Sequence, residues 1–165
     1  MANSLCFHLR LLRRRDVPAM LTIERACFAS PWGEADFAAA LAPDRAFGLA
    51  AECHGDVCGY LIGEREGGRV QVLNLCVGPP ARRRGVASLL VQAVAGRLRQ
   101  QQRLVTIVGE RNLPAQLFCR SQGFRAVTIL RRYLPGTGDD AYLFEYRPHA
   151  AAAPFMPANR VAAYL

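Results

Sequence analysis

The segment Arg82-Arg83-Arg84-Gly85-Val86-Ala87-Ser88 constrains this chain more than any other. An apolar run, Val72 to Val77, comes directly before it and is closed by Gly78-Pro79-Pro80. A helical pattern follows directly, with Val86, Leu89, Leu90, Ala93 and Val94 on one face. The order is therefore strand, tight turn, basic glycine-containing loop, helix. A helix N-terminus leaves backbone N–H groups unbonded, and such a loop gathers them around an anion with Arg side chains alongside. A phosphate-rich ligand fits that description. Gly85 has no Cβ and lets the backbone approach a diphosphate closely. Small Ala87 keeps the first helical turn open. Neither G-x-x-x-x-G-K-S/T nor G-x-G-x-x-G is present, so the loop is neither a Walker phosphate loop nor a dinucleotide fingerprint.

A chain of 165 residues, 52% of them hydrophobic, is long enough for one well-buried core. No run of about 18 apolar residues occurs, so no membrane-spanning helix is expected. The first residues are too soon charged for a secretory signal, and the expected location is the cytoplasm. Six cysteines (6, 27, 53, 58, 76 and 119) are scattered without a C-x-x-C pair and read as reduced, structural side chains. Cys53, His54 and Cys58 lie close in sequence, but a fourth ligand is not evident, and no metal is expected. The net charge is +8, and all 21 basic residues are Arg. The chain's positive field favours an anionic ligand. The arginines are dispersed and lack the aromatic interleaving of an RNA-binding surface, so no direct nucleic-acid contact is expected.

Residues 7–12 read as a first strand. Asp16 is placed to cap a helix running to about Phe28, with Pro18 in its first turn and Met20, Ile23 and Cys27 as its apolar stripe. Ser30-Pro31 opens a second helix through about Leu41. Three strands follow at 46–53, 57–64 and 69–77, with turns at Gly55-Asp56 and Glu66-Gly67-Gly68. A third helix spans about 85–101, then a buried strand 104–108. A fourth helix starts at Asn112 or Leu113 and is ended by Gly123. Strands 124–131 and 141–146 flank a loop, 135–140. The fold class is α/β or α+β: a mixed, largely antiparallel sheet of about seven strands flanked by about four helices. Residues 1–147 form a single domain, followed by an Ala/Pro-rich tail, 148–165.

The basic loop resembles the acetyl-CoA diphosphate loop of GNAT-type N-acetyltransferases, Q/R-x-x-G-x-G/A. Ile23-Glu24-Arg25-Ala26-Cys27-Phe28, then Pro31-Trp32 and Phe37, resembles the first helices of the RimI-type ribosomal-protein-alanine N-acetyltransferases. Asn112-x-x-Ala115 with Gly123-Phe124, and Asp140-Ala141-Tyr142, are similar to later segments of the same family in the same order. The resemblance covers roughly residues 8–147.

It implies that acetyl-CoA is the co-substrate and that the fourth and fifth strands splay to admit its pantetheine arm. Backbone groups of Leu75, Cys76 and Val77 would then pair with that arm as a missing strand would. Arg82, Arg83, Arg84, Gly85, Val86, Ala87 and Ser88 would hold the diphosphate. Asn112 would bond the cofactor from the other side, cap its helix, or do both. A backbone N–H at Val77 or its neighbour would polarise the acetyl carbonyl.

The chain departs from the pattern at the three side chains the resemblance ties to proton transfer. Ile107 stands where the family has a base Glu, Cys119 where it has an acid Tyr, and Gln71 where many members have a further Glu. Glu110, Cys119 and Tyr133 are the remaining candidates for proton transfer, with Tyr142 as a further donor. An α-amine, with pKa near ~8, is already about a tenth neutral at pH 7, whereas a lysine amine near ~10.4 is neutral in only about one molecule in 2,500. A chain short of a strong base therefore suits α-amines. Its expected partner is an amine acceptor such as a ribosomal-protein N-terminus, and it should act as a monomer or weak dimer. A small-molecule amine acceptor, or a catalytically weak CoA-binding sensor, is the alternative.

Overall fold

The computed structural model describes residues 7–148. All but one residue of the Ala/Pro-rich tail therefore lies outside the described residues. The elements in chain order are β1 (His8–Leu11), α1 (Val17–Cys27), α2 (Glu34–Leu41), β2 (Ala46–Cys53), β3 (Asp56–Glu66), β4 (Arg69–Val77), α3 (Val86–Ala95), β5 (Arg103–Gly109), α4 (Leu113–Ser121), β6 (Arg125–Leu130) and β7 (Ala141–Tyr146). The strands form one sheet in the order β1-β2-β3-β4-β5-β7-β6. Every neighbouring pair is antiparallel except β4 and β5. The expected seven strands and four helices are all present.

Each face of the sheet has its own core. Met20 and Ile23 of α1 and Phe37 of α2 pack with Tyr60, Ile62 and Cys76 on one face. Val86, Leu90, Val91 and Val94 of α3 pack with Leu61, Val72, Leu104 and Val108 on the other. Two rows of apolar side chains on opposite faces of a β-strand are what period-2 alternation produces.

Four local expectations need correction. Asp16 does not cap α1 with its side chain. Its buried carboxylate instead accepts from Arg10 Nη1 and Nη2, at 2.7 and 2.9 Å, and from the Arg13 N–H at 2.7 Å. Helix α2 begins at Glu34, not Ser30, with Gly33 ahead of it. The Trp32 N–H is bonded to Glu24 Oε1 (3.1 Å), which ties residue 32 to α1 ahead of the helix. Helix α3 stops at Ala95 rather than near Gln101. The bonds Arg97 N–H to Val94 O and Leu98 N–H to Ala95 O span three residues and tighten the chain out of the α-helix. Finally, Leu89 is 39% exposed, and Val91 takes its place in the core. On a 100° helical wheel Leu89 and Val91 flank the arc of Val86, Leu90 and Val94 at equal angles, so periodicity alone does not choose between them.

Candidate active site

Strands β4 and β5 pair only through Arg69–Val72 against Arg103–Thr106. Beyond that point β4 stays with β3 and β5 stays with β7, so the two strands part. The cause lies in the β3–β4 register. Ile62 faces Asn74 while Gly63 faces Val72, which leaves Leu73 as an extra residue, a β-bulge. The bulge bends β4 away and also reverses its alternation. Val70 and Val72 point into the α3 core, whereas Leu73 and Cys76 point into the α1 core.

The parted strands open a cleft of about 200 Å³. Leu73, Asn74 and Leu75 line it from β4, and Thr106 to Gly109 from β5. Asn112, just ahead of α4, and Ala115, Phe118 and Cys119 within it close the cleft, and Phe28 lines it from the end of α1. The Gly78 N–H donates to Cys58 O (2.9 Å) on β3. Antiparallel strands turn alternate residues' polar groups to each side. Cys76, two residues back, therefore shares the ladder with β3, and its side chain is buried in the α1 core. Leu75 and Val77 turn their N–H and C=O groups toward the opening. The Val77 carbonyl accepts from Arg82 Nε (3.1 Å) and from the Cys27 thiol (3.5 Å).

The basic loop links β4, the strand that parts from β5, to α3, whose Val91 lines the cleft. Arg83 and Gly85 have positive φ, 61° and 86°. Left-handed residues spaced in this way turn successive N–H groups inward to form an anion-binding concavity. Among the described residues, the N–H groups of Arg83 through Ser88 have no main-chain partner, and no side chain caps α3. A Cβ at residue 85 would meet nothing within 4 Å, so it is the φ value and not crowding that calls for glycine there. The side chains of Arg83 and Arg84 are exposed beside the cradle. The Arg82 guanidinium folds back instead, with Nη2 3.0 Å from Cys27 Sγ.

Asn112 caps α4, its Oδ1 accepting from the Ala115 N–H (3.2 Å), and it also lines the cleft. Ile107 and Cys119 both line the cleft. Burial pushes the Cys119 thiol up to about 11. Glu110 is exposed and turned away, with Oε1 accepting from the Asp140 N–H (3.2 Å). Tyr133, 48% exposed, sits in the turn after β6, and Gln71 lies opposite Val105 where the strands are still paired. Neither lines the cleft. Among the described residues, no group of three or more His, Cys, Asp or Glu side chains could hold a metal ion.

Sequence reasoning passed over one cluster. Glu24, 2% exposed, accepts from the Tyr60 hydroxyl, from the Trp32 N–H and from Asn74 Nδ2. Its partners lie up to 50 residues away, and no local spacing announces them.

The parallel strand pair thus parts beside a helix start whose backbone N–H groups are free. The sequence model of the acetyltransferase (GNAT) family matches residues 17–124, and the chain belongs to that family. An acetyltransferase of Pectobacterium atrosepticum is 32% identical over 93 residues, 54% of this chain and 66% of that protein, just under two thirds of its length. The crystal structure of the ribosomal-protein-S18-alanine N-acetyltransferase from Escherichia coli superposes with TM-score 0.79 at 26% identity, covering 92% of this chain and 99% of that one. Arabidopsis thaliana NAA60 in complex with acetyl-CoA shares the fold, with TM-score 0.72 and 20% identity over 86% of this chain and 98% of that one. Among the described residues, no helix is long and apolar enough to cross a membrane.

Proposed function

We propose that the chain is an acetyl-CoA-dependent N-acetyltransferase acting on the α-amine of a protein N-terminus, with a ribosomal protein as the first acceptor to try. The observation that carries this reading is the divergence of β4 and β5 beside the 83–88 cradle. Acetyl-CoA brings the acyl group as an activated thioester. The free amides from Arg83 to Ser88 would hold its diphosphate. The outward-facing N–H and C=O of Leu75 would pair with the pantetheine amides. The Val77 N–H would donate to the acetyl oxygen as charge develops on it.

The amine nitrogen forms the new C–N bond, the C–S bond breaks, and the amine's surplus proton passes to the departing sulfur. Cys119 does not suit the donor role. A thiol raised to about 11 is a weaker acid than an ordinary thiol near ~8.5 and so donates poorly. It fills the cleft wall as a small apolar side chain. Glu110 is held at the Asp140 N–H. The acceptor therefore has to arrive neutral, and α-amines meet that demand far more often than lysines. The likeness to the S18-alanine enzyme supports the same acceptor class. The five described cysteines are all free thiols, which fits a reducing cytoplasm.

Incubation with acetyl-CoA and peptides bearing N-terminal alanine, read by mass spectrometry, tests the proposal. The expected product is acetylated on the α-nitrogen. No product across a broad set of N-termini would refute it.

A further inference from the structure

Glu24 is a carboxylate buried in an apolar layer, among Met20, Ile23 and Phe37. Among the described residues it forms no salt bridge. Such a group is costly, and an apolar side chain of similar size would stabilise the layer more cheaply. All three groups bonded to it are donors: the Tyr60 hydroxyl, the Trp32 N–H at 3.1 Å, and Asn74 Nδ2 at 3.3 and 3.4 Å from its two oxygens. This arrangement fixes the Asn74 amide. With its NH2 committed to Glu24, its carbonyl oxygen points the other way.

Asn74 is 8% exposed and lines the cleft. Among the described residues, no donor reaches its Oδ1. Yet no buried side-chain oxygen is left without a partner, so this oxygen is not sealed in the core. The bulge at Leu73 places it on the α1 face, opposite α3 and the diphosphate cradle. A carrier held at α3 has to present its acyl group through the gap toward that face, so the acceptor approaches from the α1 side.

We infer that Asn74 accepts a hydrogen bond from the acceptor's α-nitrogen and so aims its lone pair at the acyl carbon, with Glu24 as the residue that positions Asn74. An amide oxygen is well suited to this. It orients an N–H without the full charge that would hold the amine as an ammonium. The inference rests on the peptide-amine reading above and adds the group that orients the acceptor.

Calorimetry with two ligands tests it: coenzyme A, and a conjugate in which the acetyl group joins the coenzyme sulfur to the α-nitrogen of an alanine-first peptide. In the wild-type chain the conjugate should bind more tightly than coenzyme A. Asn74→Leu, close in volume, should leave coenzyme A affinity within about twofold and weaken the conjugate about tenfold, the effect of one hydrogen bond near 1.4 kcal/mol. Glu24→Gln should do the same, because the new amide can donate to Asn74 Oδ1 and turn it away from the cleft. Asn74→Leu carries the test alone if Glu24→Gln does not fold. If Asn74→Leu keeps the full advantage of the conjugate, or weakens both ligands alike, the inference is overturned while the proposed function stands. A wild-type chain that binds the conjugate no better than coenzyme A overturns both.

Discussion

Gly85→Ala separates backbone geometry from crowding at the anion cradle. Residue 85 has φ 86° and ψ 0°, and a Cβ there would meet nothing within 4 Å. The methyl group therefore costs nothing through contact, and the penalty is conformational. Holding an L-residue in the left-handed region costs about 1–2 kcal/mol. The loop is exposed, so it can relax to right-handed geometry and lose the concavity. The cradle-forming conformer then becomes about 5- to 30-fold scarcer, and apparent affinity falls by the same factor. Calorimetry should show coenzyme A binding weakened about 5- to 30-fold. Pantetheine, which has no diphosphate, should bind both proteins equally. Gly85→Asn should fall between, because Asn tolerates the left-handed region better than Ala. Equal coenzyme A affinity in wild type and Gly85→Ala would refute the argument, as would an equal loss for pantetheine.

Three further outcomes follow from the site and its supports. Because no carboxylate or imidazole lines the cleft among the described residues, log kcat/KM should rise with unit slope and level off at the acceptor's own amine pKa; peptides with different N-terminal pKa should shift the plateau, and a fixed inflection would point to an enzyme base. Glu110→Gln should change kcat/KM by less than about threefold, whereas loss of a general base would cost about a hundredfold or more. Asp16→Asn should destabilise the fold by about 3 kcal/mol, a melting-point drop of about 6–12 °C by thermal denaturation. Arg10 holds the Asp16 carboxyl below its usual range, so the wild type keeps this stabilisation above about pH 4 and loses it as pH falls through the depressed folded value. The gap between wild type and Asp16→Asn should therefore close in acid, and a constant gap would contradict the assignment.

Strands 46–53, 69–77 and 141–146 were legible to the residue, because alternation and Gly-rich turns are local signals. The place of the loop between β4 and α3 was legible for the same reason, since Gly85 and the helix pattern adjoin it. The bulge at Leu73 was not. Val72-Leu-Asn-Leu reads as an uninterrupted apolar strand, and nothing local says that two adjacent residues share a face. Asp16 looked like a helix cap because capping is a local rule, but Arg10 reached it first across the β1–α1 turn. Glu24 drew no role of its own beyond its place in the segment Ile23–Phe28. Its burial depends on Tyr60 and Asn74, 36 and 50 residues away, which only the closed sheet brings together.

Amide hydrogen exchange, with and without acetyl-CoA, reads most directly whether the gap between β4 and β5 holds the carrier by its backbone. The account predicts new protection at Leu75 and Val77 and across 83–88, with the β2–β3 hairpin turn at 54–55 unchanged. Saturating acetyl-CoA that leaves the Leu75 and Val77 amides exchanging as in the free protein would contradict it.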